Sequence, residues 1–291
     1  MHIPVLLREV LHYLDPVVGD FIIDGTVNGG GHFEHILSRV GDSGIVLGID
    51  ADEHILATTR SRFAHDHRAR FVCGSFADVE LLLSQQGLPR ANGFLLDLGF
   101  SSLHLSGSGR GFSFDADEPL CMTYDVSAPP LRDILPTLSR FDLERILREY
   151  SGERFSVRIA DAIVGHLAHG SIQTSKQLAD IVRGAVPVDY EQGRIDPATR
   201  TFQALRIYVN REFEAIERAL LSIPRITVPG ARVVVISFHS LEDRLVKHAF
   251  SALVRSGSAS HLTEIPVEAS LHEISSNYRS RSAKLRAIVI Q

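Results

Sequence analysis

The 291-residue chain is poor in cysteine, in long apolar runs and in net positive charge. Its two cysteines, Cys73 and Cys121, form no CxxC pair, which excludes a disulfide framework and a cysteine-rich metal site. Cys73 falls in an apolar run and is expected to pack in a sheet. No apolar stretch approaches the roughly 18–20 residues needed to cross a bilayer. The opening residues, Met1 to Glu9, lack a basic head and are soon interrupted by charge, so they are not expected to act as a signal peptide. A cytoplasmic protein with no membrane and no metal partner is the expectation. The formal net charge is −5, which argues against a chain coated with cations to hold nucleic acid. Cations do gather locally. Tyr278 to Arg286 carries Arg279, Arg281, Lys284 and Arg286 without one acid, and the stretch from Arg194 to Arg211 includes Arg200 and Arg206. A local basic face and scattered solvated or internally paired cations both fit this pattern.

What is present is ordinary for a globular enzyme: 44% hydrophobic and 22% charged residues. Short apolar runs at Phe21-Ile22-Ile23-Asp24, Ile45 to Asp50, Arg70 to Cys73 and Gly93 to Asp97 alternate with helical patterns at 34–40, 52–64 and 79–86. Continuous apolar runs separated by helices indicate a parallel sheet covered on both faces. A Gly-, Ser-, Asp- and Pro-rich stretch over 105–135 then reads as a long loop. Residues 139–222 show only helical spacing, as in Leu143, Ile146, Leu147 and Tyr150. Strand character returns at Arg232 to Ser237, after a Pro229-Gly230 turn, and again at Leu285 to Ile290, with a helix over 241–253 between them. The pattern predicts an α/β core of residues 1–105 and 213–291, interrupted by a helical domain at 106–212. It shows no internal repeat and no low-complexity segment.

The stretch from Asp24 to His32, Asp-Gly-Thr-Val-Asn-Gly-Gly-Gly-His, joins the first strand to the first helix. Ligands of open α/β sheets bind at the carboxyl ends of the strands, and glycines there let backbone approach a ligand. Asp50, closing the second strand, is placed to accept hydrogen bonds from both hydroxyls of a ribose. The spacing G-x-G-x-x-G of a dinucleotide site is missing. Asp24 would repel a pyrophosphate but suits a cationic amino group. The pattern therefore favours S-adenosyl-L-methionine over a nicotinamide cofactor. Asp97, at the end of the fourth strand, would border the same pocket. Phe76 is placed either to stack on adenine or to fill the core.

The motifs then become specific. His2-x-Pro4-Val5-Leu6-Leu7-x-Glu9 precedes Asp24-Gly25-Thr26 with Gly30-Gly31-His32, then Asp97-Leu98-Gly99-x-Ser101-Ser102 and Arg110-Gly111-Phe112-Ser113-Phe114. Gly152-Glu153-Arg154, the stretch Pro197 to Ile207, Ser237-Phe238-His239-Ser240-Leu241-Glu242-Asp243-Arg244 and Arg279 to Arg286 complete the series. Over essentially its whole length the chain resembles the RsmH (MraW) family, the bacterial 16S ribosomal RNA cytosine-N4 methyltransferases. The resemblance implies a class I methyltransferase fold, Rossmann-like, with an inserted helical substrate-recognition domain. It implies a cytidine in the decoding region of the small ribosomal subunit as substrate. It also implies cofactor contacts at Gly30, Gly31, His32, Asp50, Phe76 and Asp97, with His104 standing where the family usually has Gln. Two segments depart from the family. Val27-Asn28-Gly29 replaces Phe-Gly-Arg, and Cys121-Met122-Thr123-Tyr124-Asp125 replaces Asp-Met-Arg-Met-Asp in what looks like an active-site lid.

A cytosine amine is a weak nucleophile because its lone pair is conjugated with the ring. An acceptor for its N–H, such as Asp97 or the carbonyls of Leu98 and Gly99, would localise that pair. His239 or water could take the released proton, or His239 could serve structure instead. The arginines around Arg200 and Arg206 and those of the 279–286 tail would hold phosphates, although Arg206 and Arg244 could equally pair internally. Other readings are a methyltransferase acting on DNA or a small molecule, and a non-catalytic RNA-binding or ribosome-assembly factor that keeps the fold. The altered 121–124 segment favours the latter, and intact Asp24, Asp50 and Asp97 count against it.

Overall fold

A computed structural model describes residues 3–99 and 109–291. The chain forms two compact units, Met1–Ser101 with Phe213–Gln291, and Ser102–Glu212. No helix among the described residues is long and apolar enough to cross a membrane.

The first unit is built on one eight-stranded sheet. Its elements run α1 (Leu7–Leu14), β1 (Phe21–Asp24), α2 (Gly31–Arg39), β2 (Ile45–Asp50), α3 (Glu53–Arg62), β3 (Ala69–Cys73), α4 (Val79–Gln86) and β4 (Ala91–Asp97). Strands β1 to β4 pair in parallel in the order β3-β2-β1-β4. Side chains alternate between two cores. Ile23, Leu47, Ile49, Phe94 and Leu96 pack on one face, and Ile22, Val46 and Leu95 on the other. Burial on both faces is why these strands are apolar at successive positions rather than at every second one. Strand β3 is the edge of the sheet, so Cys73 is exposed and not packed in the core as its apolar neighbours suggest.

Strand order reverses between β1 and β4, which opens a crevice at their carboxyl ends, where Asp24 and Asp97 stand. Four elements, one preceding the glycine turn and three near the end of the chain, were not legible as regular structure. One is α1. The others are a pair of short strands and a helix beyond residue 255, described below.

The second unit is all-helical: α5 (Leu131–Ile134), α6 (Arg140–Ser151), α7 (Ser156–Leu167), α8 (Ser175–Ala185) and α9 (Ala198–Val209). Leu143, Ile146, Leu147, Ile159, Ile163, Leu178, Val182 and Leu205 form its core. Side chains three and four apart share a helix face, which is why spacing revealed these helices. Local chemistry sets their ends. Ser139 caps α6, Gly152 ends it in a left-handed turn, and Thr174 with Gln177 forms a capping box on α8. Residues 109–130 contain no helix or strand beyond an isolated antiparallel bridge, Pro119 to Thr174.

The chain then returns to the first unit through α10 (Glu212–Ile226) and β5 (Thr227–Ser237). The Pro229-Gly230 pair does not make a separate turn before the strand. It lies inside β5, where Gly230 takes φ 84° and the pairing jumps from Ala91↔Thr227 to Gly93↔Arg232. This irregularity in the pairing absorbs the extra residues of β5. Helix α11 (Ser240–Arg255), β6 (Ala259–His261), β7 (Val267–Glu268), α12 (Leu271–Ser276) and β8 (Lys284–Ile290) complete the chain. Strand β5 pairs in parallel with β4, and β8 runs antiparallel to β5. Ser237 therefore faces Lys284, and the basic segment before β8 reaches the same end of the sheet as Asp97.

Candidate active site

Two acids at the crevice are held by backbone and left incomplete. Asp24 is 1% exposed; its Oδ1 accepts the Thr26 N–H at 3.2 Å and its Oδ2 has no partner. Burial raises its pKa to about 7, against the opposing pull of the Thr26 hydrogen bond and with a smaller push from Asp50. Asp97 keeps its backbone in place by donating its N–H to Thr26 Oγ1 at 2.7 Å. Its Oδ1 is buried without a partner, and its Oδ2 lies 3.6 Å from His32 Nδ1. Burial, with Asp24 and Glu242 close by, holds this carboxyl well above the usual carboxylate range.

Asp50 differs from both. Its two oxygens accept backbone N–H groups from Asn28 and Asp52, each at 2.9 Å. These bonds fix the plane of the carboxylate.

The glycine turn follows from steric need. Gly30 takes φ 79° at the N-cap of α2, a conformation that costs a side chain. A Cβ on Gly31 would stand 3.2 Å from the Pro4 ring, so the opening motif and the glycine turn fit face to face. Because the helix can begin as soon as the turn ends, α2 starts at Gly31, three residues before the spacing suggested. The substitutions in this turn are accommodated. Asn28 adopts φ 46°, a left-handed conformation that asparagine tolerates best after glycine. Its carbonyl accepts from Thr59 Oγ1, and the carbonyl of Gly29 accepts from Arg62.

His32 is 6% exposed, with Nε2 2.9 Å from the Val5 carbonyl. Phe76 is half-buried and packs against the core on the Ile49 face. His104 lies outside the described residues. His239 is the N-cap of α11: its Nδ1 accepts the Glu242 N–H at 3.3 Å, while Glu242 Oε2 accepts from the Phe238 and His239 N–H groups. Its Nε2 is 3.2 Å from Glu242 Oε1, within ion-pair range, yet lacks the alignment of a hydrogen bond and stays without one. With Nδ1 accepting, a neutral His239 carries its hydrogen on Nε2 and has no lone pair free.

Sequence reasoning missed three supporting groups: Thr26 Oγ1, the Val5 carbonyl and Glu242. The motifs contained all three, but nothing in their spacing says which atoms meet.

The chain matches the MraW methylase family over residues 1–291. It is 42% identical to ribosomal RNA small subunit methyltransferase H of Geotalea uraniireducens (strain Rf4) over 303 residues, covering 98% of this chain and 97% of the relative. The same-named proteins of Trichlorobacter lovleyi and Geobacter sulfurreducens match at 42% over the same shares. The chain belongs to the MraW methylase family. The sheet order fits the family's class I, Rossmann-like fold. The cofactor of this MraW-family methylase is S-adenosyl-L-methionine. The crevice fits it: a buried, unpartnered carboxylate oxygen on Asp24 can face a cationic amino group, and the preset carboxylate of Asp50 can face ribose hydroxyls.

The helical unit of this methylase corrects one expectation. Arg206 is 8% exposed and its guanidinium donates to both oxygens of Glu212, at 2.8 and 3.0 Å, so it holds structure and not phosphate. Arg200 likewise donates to Glu191 at 2.8 Å. The divergent 121–125 segment is tied into this unit. The Tyr124 hydroxyl donates to Glu212 Oε1 at 2.9 Å, the Tyr124 N–H to Asn210 Oδ1 at 2.8 Å, and Arg132 Nη1 lies 3.1 Å from Cys121 Sγ.

Proposed function

We propose that this chain methylates the exocyclic N4 of a specific cytidine in the decoding region of 16S ribosomal RNA within the small ribosomal subunit. The observation that carries the chemistry is Asp97 Oδ1, a buried acceptor without a partner at the switch point of the sheet. The relatives' names support ribosomal RNA of the small subunit as substrate.

When bound, S-adenosyl-L-methionine supplies an electrophilic methyl group, its sulfur keeping the bonding electron pair. Asp24 and Asp50 hold the cofactor's amino group and ribose, and Gly30, Gly31, His32 and Phe76 line its place. Asp97 Oδ1 accepts an N–H of the cytosine amine, turning its lone pair out of conjugation and toward the methyl group. Such positioning lowers barriers by about 7–11 kcal/mol in well-oriented systems. The target base leaves its stack, since its amine is otherwise engaged in pairing. The helical unit, residues 106–212, recognises the RNA. Arg244, Arg279 and Arg281 are exposed and make no ion pair among the described residues, which suits them to phosphates. His239 serves as the helix cap that fixes Glu242 beside Asp97.

The test is incubation with radiolabelled S-adenosyl-L-methionine and small subunits lacking the modification, with naked DNA and free cytidine as competing substrates, followed by nucleoside analysis. Labelled N4-methylcytidine from subunits alone is expected. Label in DNA or free cytidine, or cofactor binding without label, would overturn the reading.

A further inference from the structure

We infer that the Tyr278 ring, with Arg281 on one face, is a stacking platform for an unpaired base of the RNA, a few nucleotides from the base that is methylated. This rests on the reading that the substrate is RNA. From 274 to 286 the chain carries four cations and no acid, and within that stretch Asn277, Ser280 and Ala283 are buried. A strict repeat of three is the period of a 3-10 helix, and Tyr278–Ser282 form one. The same geometry eclipses Tyr278 and Arg281 on the solvent side, where the Arg281 guanidinium lies over the Tyr278 ring at 4.7 Å. Tyr278 is still 67% exposed, so the other face of its ring is open to solvent.

The turn beneath the ring is fixed from within. Asn277 Nδ2 donates to the Ile3 carbonyl at 3.1 Å, and the Asn277 N–H to the Glu273 carbonyl at 2.7 Å. Ser280 Oγ donates to the Asn277 carbonyl at 2.8 Å, and Ala283 packs with Leu285 in the sheet core. Backbone and ring are therefore ordered before any ligand arrives, which lowers the entropy lost on binding.

Charge selects the occupant. Arg279 and Arg281 are exposed and make no ion pair among the described residues. The neighbouring acids are engaged elsewhere: Glu273 accepts the Leu6 N–H at 2.7 Å, and Asp243 takes both bonds from Arg286, at 2.6 and 3.1 Å. An open aromatic face beside uncompensated cations suits a ligand that has a flat π system and a phosphate together. A nucleotide in a single strand is such a ligand, and stacking on an aromatic ring is how single strands are commonly held.

Strand register gives the place. Asp97 pairs with Ile236 and Ile236 with Leu285, so Leu285 is two strand spacings, about 10 Å, from Asp97. The five-residue 3-10 helix before β8 adds up to about 10 Å more, at about 2 Å per residue. The ring stands at the same end of the sheet as Asp97 but apart from it, where it holds a neighbour of the reacting base and not that base. Tyr278 touches no reacting atom, so it is a positioning residue.

The chain contains no tryptophan, so Tyr278→Trp places a single indole at the platform. The full chain with this change is titrated with a short single-stranded oligocytidylate, with S-adenosylhomocysteine present so that no methyl group moves. Quenching of the indole emission is expected, and none with an abasic oligomer of the same length, which keeps the phosphates and lacks the bases. Equal quenching by both oligomers, or by neither, overturns the proposal. Emission that follows protein concentration without RNA overturns it too, by giving the ring to a second copy of the chain. Tyr278→Ala should weaken oligocytidylate binding about 5–100-fold at an unchanged salt slope, while Tyr278→Phe stays within about threefold of wild type. Wild-type affinity in Tyr278→Ala, or an equal loss in Tyr278→Phe, also overturns it. These arms read binding alone, so they stand whichever base is methylated. N4-methylcytidine made at the wild-type rate by Tyr278→Ala would remove the platform and leave the proposed function intact.

Discussion

The buried polar groups of the two units are treated in opposite ways. In the helical unit they are closed on one another. Arg206 grips both oxygens of Glu212, Tyr124 adds its hydroxyl, and Glu153, 1% exposed, accepts the Tyr190 hydroxyl at 2.5 Å and the Phe155 N–H at 2.8 Å. Among the described residues of this unit, Thr201 Oγ1 is the one buried side-chain polar atom without a partner. Among the described residues of the sheet unit three such atoms, on Asp24, Asp97 and His239, belong to residues at the carboxyl ends of β1, β4 and β5. An unpaired buried polar group costs about 1–3 kcal/mol, so a cluster of them persists where a ligand completes it. Paired polar burial marks scaffold here, and unpaired polar burial marks the site.

The comparison predicts opposite outcomes for similar-looking changes. Asp97→Asn should reduce single-turnover methylation by about 10²–10⁴-fold while cofactor binding persists by calorimetry. A loss under tenfold would detach Asp97 from the chemistry. Glu212→Ala should destabilise the chain by about 3–5 kcal/mol in urea melts, because it strands a buried guanidinium. Asp24→Asn should do the reverse without cofactor. The folded carboxyl titrates at about 7 against an ordinary 3.8, so the folded state holds the extra proton between those values. That contribution to stability is complete below about pH 4 and is lost as pH rises through about 7. At pH 8 the Asn variant should therefore be more stable than wild type by about 2–4 kcal/mol, yet bind S-adenosyl-L-methionine more weakly. Wild-type affinity should rise with pH toward 7, with proton release visible in calorimetry across buffers. Tyr190→Phe, which removes one bond from buried Glu153, should cost about 1–3 kcal/mol in the same melts. The smallest effect is on the surface: Arg281→Ala should weaken RNA binding uniformly and lower its salt slope by about one. Unchanged slope would remove Arg281 from the RNA face.

Much of this was legible beforehand, for identifiable reasons. The strands at 21–24 and 45–50 show as apolar runs because both faces of the sheet are covered, and α4 shows because its apolar positions repeat at helical spacing. The glycine turn, Asp24, Asp50 and Asp97 were visible as a nucleoside-cofactor pattern because strand ends are local features. Helix α1 was not, although it is as long as α4, and neither were the short elements between 259 and 276, each of which is too brief to build a period and forms by packing on or pairing with distant residues. The same limit hid the fates of the cations. Arg206 and Arg281 look alike in sequence, but one is enclosed by Glu212 and the other lies over the exposed Tyr278 ring at 4.7 Å.

The sequence by itself determined the doubly covered sheet, the helical insertion and membership in a methylase family, because periodicity and motif order are carried along the chain. The tertiary structure decided which of two motif histidines caps a helix beside Glu242 and which faces Asp97. It also decided which carboxylates are satisfied: Asp97 is 71 residues from the Thr26 hydroxyl that holds it, and His32 is 27 from its Val5 anchor. Protonation depends on burial and on neighbours within a few ångströms, and those neighbours exist only once the chain has folded.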